Sequence, residues 1–432
     1  MKFAESWGLS DMKVKPLKEL CQIVNGYAFK SKDFIEQGIP VIKIKNVKPN
    51  KILLEGFSYV SEDFLENKQD YLIKKNDILL TMTGNRSDGS PDSWVGKAAI
   101  FREEGNYLLN QRVAILRPIS EDIDVEYLSY YLSSWDTQLY FIKRANSSGG
   151  QANISPSIVG NYEIMLPQID VQQKISSILR LLDLKIKVNN DINSNLEQQA
   201  QAIFKSWFVD FEPYGGIMPS DWNIVSFDTI VDFQNGYAFK SKELLDNADD
   251  NTYRVFKQGH INKGGGFNSS GTKSWYPISR CANLDKYILH KGDVLMAMTD
   301  MKDNVQILGN TAIMPVDNQY IVNQRVGLLR SKGLYGIEYP FIYLLTNNQE
   351  FLTDLRSRAN SGVQVNLSSS EIKASEVVLA TTDVNIKFND IVKPMLEMML
   401  ENSLENEKLA ILRDTLLPKL MSGEIDLSSI DI

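Results

Sequence analysis

Asn25-Gly26-Tyr27-Ala28-Phe29-Lys30-Ser31-Lys32 returns as Asn235-Gly236-Tyr237-Ala238-Phe239-Lys240-Ser241-Lys242. Around this repeat a second one is visible. Asn110-Gln111-Arg112-Val113 returns as Asn323-Gln324-Arg325-Val326, and the Asp77–Thr83 stretch as Asp293–Thr299. Two copies with different interiors describe one scaffold presenting two surfaces, which favours two-part recognition over a single catalytic pocket.

The spacing between copies locates the insertions. Asn25 to Asn235 is 210, Asp77 to Asp293 is 216, and both Asn110 to Asn323 and Gln151 to Gln364 are 213. Segments that change length or content, near 48–70, 84–94, 262–286 and 300–307, read as loops between constant scaffold. Val41–Ile44, Ile78–Met82 and Val113–Leu116 read as strands. Tyr127–Leu132 and Phe341–Leu345 begin helical patterns, and Ser147-Ser148-Gly149-Gly150 and Ser361-Gly362 are turn chemistry.

After each body the apolar period becomes helical. Val171, Ile175, Ile178, Leu182, Asn189, Ile192, Leu196, Ile203 and Trp207 step by threes and fours, as in a coiled-coil seam. Val384, Phe388, Ile391, Met395, Met398, Asn402, Leu409, Leu412 and Leu416 do so again. Pro394 inside the second pattern predicts a kink or a late start. A seam of this length, about 55 Å, needs a partner, and the other copy supplies one. The expected fold is α+β: two mixed recognition bodies in tandem, separated by two long helices packed as an antiparallel coiled coil with pseudo-two-fold symmetry. The expected boundaries are 1–167 for the first body, 168–210 for the first helix and 211–219 for a linker. The second body is 220–382, the second helix 383–421 and the tail 422–432. In an antiparallel pair aligned on its centres, Asn189 and Asn402 are expected to face each other and fix the register.

Composition narrows the function. The 432 residues hold only Cys21 and Cys281, at non-equivalent positions, so no disulfide framework is expected and a reducing cytoplasm is the default location. No apolar run reaches a membrane span, and the first ten residues lack the apolar core of a secretory signal. Two histidines and two cysteines supply neither a zinc cluster nor histidine-based catalysis. The net charge of −8 falls unevenly: −1 over 1–167, 0 over 168–210, −2 over 211–382 and −5 over 383–432. DNA binding needs a local basic face rather than a basic chain, so weak binding by the isolated chain is expected.

Several enzyme motifs are missing. There is no Pro-Pro pair, hence none of the Asp-Pro-Pro-Tyr type that an adenine methyltransferase uses, and no Gly-x-Gly-x-x-Gly after a strand. Gly264-Gly265-Gly266 reads as a flexible turn, and Gly96-Lys97 lacks the phosphate-loop spacing.

For a DNA reader, the repeated residues suit positioning and the differing ones suit base reading. Tyr27, Lys30 and Arg112, with Tyr237, Lys240 and Arg325, are candidates for phosphate contact, in competition with a structural clasp. Lys43, Lys45 and Asn46 stand opposite Lys257, Gly259 and His260. Gln258, Lys263, Thr83, Asn85 and Arg86, and Thr299 and Lys302, complete the candidate set. Each competes with a solvated loop residue.

With these residues laid out, the chain resembles a DNA-specificity subunit of a type I restriction–modification system along essentially its whole length. The resemblance rests on the paired motifs above, on Phe204-Lys205-Ser206-Trp207-Phe208-Val209-Asp210-Phe211-Glu212-Pro213, and on Leu416-Leu417-Pro418-Lys419-Leu420-Met421-Ser422-Gly423-Glu424-Ile425. It implies sequence-specific binding of a bipartite, asymmetric double-stranded DNA target and no catalysis by this chain. Adenine-N6 methylation would come from two modification subunits carrying S-adenosylmethionine, and cleavage from restriction subunits using ATP and Mg2+. The first helix opens Leu166-Pro167-Gln168 and the second Leu379-Ala380-Thr381, a departure from strict repetition. The other reading is a coiled-coil assembly scaffold whose repeated bodies bind protein.

Overall fold

The computed structural model describes residues 13–85, 94–148, 151–301, 305–361, 364–425 and 427. The chain forms two compact units, Met1–Leu184 with Leu409–Ile432, and Lys185–Lys408.

In the first unit a four-stranded antiparallel sheet runs in the order Ala98–Ile100, Ile78–Thr81, Val113–Pro118, Cys21–Asn25. Leu79, Leu80, Val113, Ala114, Ile115 and Leu116 are fully buried, because the sheet is covered on both faces. One face meets the helices Val125–Ser133 and Trp135–Arg144 through Tyr127, Leu128, Leu132 and Phe141. Asp124 and Ser134 cap these helices by accepting from the Tyr127 and Thr137 N–H groups, at 2.8 and 3.3 Å. The other face meets a smaller sheet in which Ile39–Ile42 runs parallel to Leu108–Leu109. A third strand pairing sets Thr83–Gly84 beside the Asn146–Ser148 and Gln151–Asn153 hairpin.

The second unit repeats this plan: Val231–Asn235, Val326–Ser331, Val294–Ala297 and Thr311–Ile313 in one sheet, and Thr299–Met301 beside Gln364–Asn366. The same buried ion pair braces both sheets. Arg117 Nε and Nη2 donate to Asp77 at 2.8 and 2.7 Å, and Arg330 Nε and Nη2 donate to Asp293 at 2.7 Å each. The second carboxylate oxygen also accepts a backbone N–H, from Lys74 in one copy and His290 in the other.

The spacer helices are Ile169–Phe208 and Thr382–Ser422, each about 60 Å long. The second is continuous through Pro394, so neither a kink-induced break nor a late start occurs. Within the second unit they run antiparallel, since Phe204 packs on Phe388 while Asn193 meets Asn402 and Asn189 meets Asn406. Within the first unit Arg413 Nη1 donates to Asp183, and Lys174 lies beside Leu427. No helix among the described residues is long and apolar enough to cross a membrane.

The Asn189–Asn402 pairing does not form. Asn189 Nδ2 donates to Asn406 Oδ1 at 2.9 Å and to Glu405 Oε2 at 2.7 Å, and Asn402 Nδ2 donates to Asn193 Oδ1 at 2.9 Å. Each asparagine meets the one a helical turn further along, so the crossing is a polar ladder of two exchanged Asn pairs rather than one amide pair in an apolar seam. The cause is axial stagger: packing of Phe204 and Phe208 against Phe388 fixes the helices four residues away from the centred alignment.

Candidate nucleic-acid interface

The two repeated motifs are two halves of one clasp. Gly26 lies so close to the Asn-Gln-Arg turn that a Cβ there would stand 2.1 Å from the Asn110 carbonyl oxygen; Gly236 has the same relation to Asn323. Around this approach the Tyr27 N–H donates to Leu109 O at 2.8 Å, and the Gln111 N–H to Tyr27 O at 2.9 Å. In the second unit Tyr237 donates to Val322 and Gln324 to Tyr237, both at 2.9 Å. Asn110 and Asn323 turn inward, their Oδ1 atoms 3.4 Å from the Arg112 and Arg325 N–H groups. Gln111, Arg112, Gln324 and Arg325 turn outward and are exposed.

Beside the clasp the strand Ile78–Thr81 runs out into Met82 and Thr83. The Met82 N–H donates to Arg112 O at 2.9 Å, and Thr83 Oγ1 to Asn153 Oδ1 at 2.9 Å. Asn110 N–H donates to Ile42 O, which places the Lys43–Asn46 turn at the same edge. One rim of the first unit therefore gathers Arg112, Thr83, Lys43, Lys45 and the Gln151–Asn153 hairpin. The second unit gathers Arg325, Thr299, Lys257, Gln258 and Gln364–Asn366 in the same way, with Met298 N–H on Arg325 O and the Gln258 amide on Thr299 O.

The sequence candidates divide on this frame. Lys30, Lys45, Asn85, Arg112, Lys240, Lys263 and Arg325 are exposed. Arg112 and Arg325 carry no ion pair among the described residues. Tyr27 and Tyr237 are half-buried in aromatic clusters, 5.0 Å from Phe29 and 4.9 Å from Phe239, and so also anchor the clasp. The Lys43 ammonium is occupied: it sits 3.9 Å above the Phe34 ring and donates to Ser58 Oγ at 2.7 Å. Burial lowers its pKa, with Lys45 adding repulsion, and burial lowers that of Lys257.

Two candidates are corrected. Asn46 is buried, with Nδ2 donating to the Leu53 and Glu55 carbonyls and Oδ1 accepting from the Lys43 N–H. His260 is fully buried, stacked on Phe256 at 5.0 Å, and burial pushes its imidazole down to about 4, so it stays neutral. Both cap the short turns that begin at Lys43 and Lys257, and neither presents an edge to a base. Arg86 and Lys302 lie outside the described residues.

Sequence reading missed the hairpin side of the rim. The signal was present as Gln151-x-Asn153 and Gln364-x-Asn366, 213 residues apart and each after a glycine turn.

Comparison with known proteins accounts for this duplicated plan. The family model described as the type I restriction modification DNA specificity domain matches residues 9–198 and again 219–406. The chain is similar to the type I restriction enzyme HindI specificity subunit of Haemophilus influenzae, 25% identical over 392 residues, 74% of this chain and 82% of that protein. It is also similar to the MjaIX specificity subunit of Methanocaldococcus jannaschii, 25% identical over 313 residues and 69% of each chain. The crystal structure of a type I restriction–modification S subunit from M. genitalium shares the fold, with a TM-score of 0.58 at 16% identity over 95% of this chain and 96% of that one. The chain therefore belongs to the DNA-specificity subunit family of type I restriction–modification systems, whose function is recognition of the DNA target.

Proposed function

We propose that this chain reads a bipartite, asymmetric duplex DNA target, one part with each recognition unit, and holds two adenine-N6 methyltransferase subunits over it without performing chemistry itself. The observation that carries this reading is the rim built twice on one clasp, with equal positioning residues and unequal neighbouring loops. Arg112, Lys30 and Lys45 in one unit, and Arg325, Lys240 and Lys263 in the other, are suited to phosphates and guanine edges. Thr83, Asn85, Thr299 and Gln258 lie in or beside the segments that differ. Tyr27 and Tyr237 position the clasp, with Lys43 and Lys257 shaping the turns.

Partner subunits would supply S-adenosylmethionine, and restriction subunits ATP and Mg2+. Apolar side chains left in solvent on the spacer helices support docking of such partners: Leu181 is 58% exposed and Ile411 61%. Near-neutral recognition bodies support weak DNA binding by the lone chain and tight, salt-sensitive binding by the complex.

Methylome sequencing of a host with and without this chain tests the reading. The expected result is a gain of one split motif with unequal halves whose centres lie about 10 bp apart. A continuous or palindromic motif contradicts it.

A further inference from the structure

The second rim carries a clamp that the first does not. Asp300 follows Thr299 at the rim, where the first copy has Gly84 after Thr83. One Asp300 carboxylate oxygen accepts the N–H groups of Gln306 and Ile307 at 2.7 Å each and of Leu308 at 3.2 Å. The other accepts the Met301 N–H at 2.8 Å. The carbonyl side of the same segment is held from the helix Gln349–Ser357. Arg356 Nε donates to Leu308 O at 2.9 Å, and its Nη2 lies 3.2 Å from Asn310 Oδ1. Leu308 itself is fully buried, so the segment's far end is rooted in the core.

Between these anchors the chain presents apolar surface. Met301 is 61% exposed and Val305 36%, although both are attached to a loop gripped on its N–H and C=O sides. An exposed loop with no ligand gains little from so many fixed backbone bonds. A loop that must meet a base edge without first paying for its own ordering gains much, because pre-organisation removes the entropy cost of binding. Apolar side chains on such a loop match the thymine methyl group in the major groove. The Asp300 carboxyl stays ionised as the clamp requires. Burial works to raise its pKa, and the N–H groups of Ile307, Met301, Gln306 and Leu308 overcome that and hold it below the ordinary carboxylate value.

We propose that Asp300, braced by Arg356, is the positioning residue that pre-organises a base-reading loop in the second recognition unit, with Met301 as its apolar contact to a thymine-containing base pair. This rests on the reading of the chain as a two-part DNA reader. The loop segment is fixed before DNA arrives, and the unit discriminates against substituted base pairs because a fixed loop cannot re-fit around them.

The test uses the complex of this chain with its modification subunits, on duplexes carrying the split motif and on duplexes with each base pair replaced in turn. Asp300→Ala is expected to lower discrimination about tenfold at one half-site only, against a usual mismatch cost of about 1–3 kcal/mol. Asp300→Asn, which keeps one acceptor oxygen, falls between. Met301→Ala weakens preference at one thymine-containing pair of that half-site. Native-state hydrogen exchange reads the clamp directly: the Gln306, Ile307 and Leu308 amides exchange faster in Asp300→Ala while the Val294–Ala297 strand stays protected. Unchanged discrimination, equal loss at both half-sites, or unchanged exchange at the three amides overturns the proposal. A wild-type complex with no split target contradicts the two-part reading itself, and this inference with it.

Discussion

In the first unit the variable loop beyond Thr83 is flanked by Trp94, which lies on Trp135 with ring centroids 5.4 Å apart; in the second, the same position in the plan is held by Asp300 and Arg356. Apolar stacking tolerates sliding, whereas four N–H bonds to one carboxylate fix a backbone path. The same contrast recurs where each recognition body meets the helices of its own unit. Tyr130 and Tyr343 occupy equivalent positions. Tyr130 donates to Asp183, which also accepts from Asn50 and from the guanidinium of Arg413. Tyr343 donates to Glu197 at 2.9 Å, and no cation faces that carboxylate among the described residues. A duplicated scaffold has kept its clasp and its brace while exchanging the chemistry of its loops and anchors.

Breaking what the copies share should have the largest effect. Asp77→Ala leaves Arg117 without its carboxylate and frees the Lys74 N–H, and is expected to cost the first unit about 3 kcal/mol. Asp293→Ala should do the same to the second. Hydrogen exchange resolved by unit is the measurement, because a two-unit chain need not melt in one step. A loss spread evenly over both units would mean that the braces are not local.

Breaking what the copies do not share should be milder and one-sided. Trp135→Ala removes the stacking partner of Trp94, at a cost of about 1 kcal/mol. The expected result is faster exchange around Asn85 and Trp94 with the second unit unaltered. If Trp94 stayed protected, the stack would have no part in holding that flank.

The smallest effect sharpens the anchor comparison and has a sign. Burial raises the Glu197 carboxyl above its usual pKa, against the opposing hydrogen bonds from Tyr343 and Gln201. A carboxyl raised in the folded state penalises folding once pH exceeds its folded pKa. The penalty vanishes below the unfolded value near 4.5. Glu197→Gln, which still accepts from Tyr343, is therefore expected to raise the thermal midpoint of the second unit slightly at pH 7 and to leave it unchanged at pH 4. Destabilisation at pH 7 would show that the charge is needed there.

The internal repeat made much of this plan legible. Repetition exposed the clasp residues, the strand Val113–Pro118 and both spacer helices, because each carries either an identical motif or a period of 3.6. The register of the helices was not legible: Asn189 and Asn402 mark the seam, but their partners depend on how aromatic rings near Phe388 stack across it. His260 was misread because a polar residue in a variable segment suggests solvent, whereas three rings, Phe256, Phe267 and Tyr320, enclose it. Asp300 left no periodic trace, since its acceptor role depends on N–H groups up to eight residues away.

The central claim is that one scaffold carries two independent readers. Replacing residues 220–382 with the matching segment of a relative, followed by methylome sequencing, tests it most directly. The account predicts that one half of the split motif changes while the other half and the gap remain. A simultaneous change in both halves would contradict it.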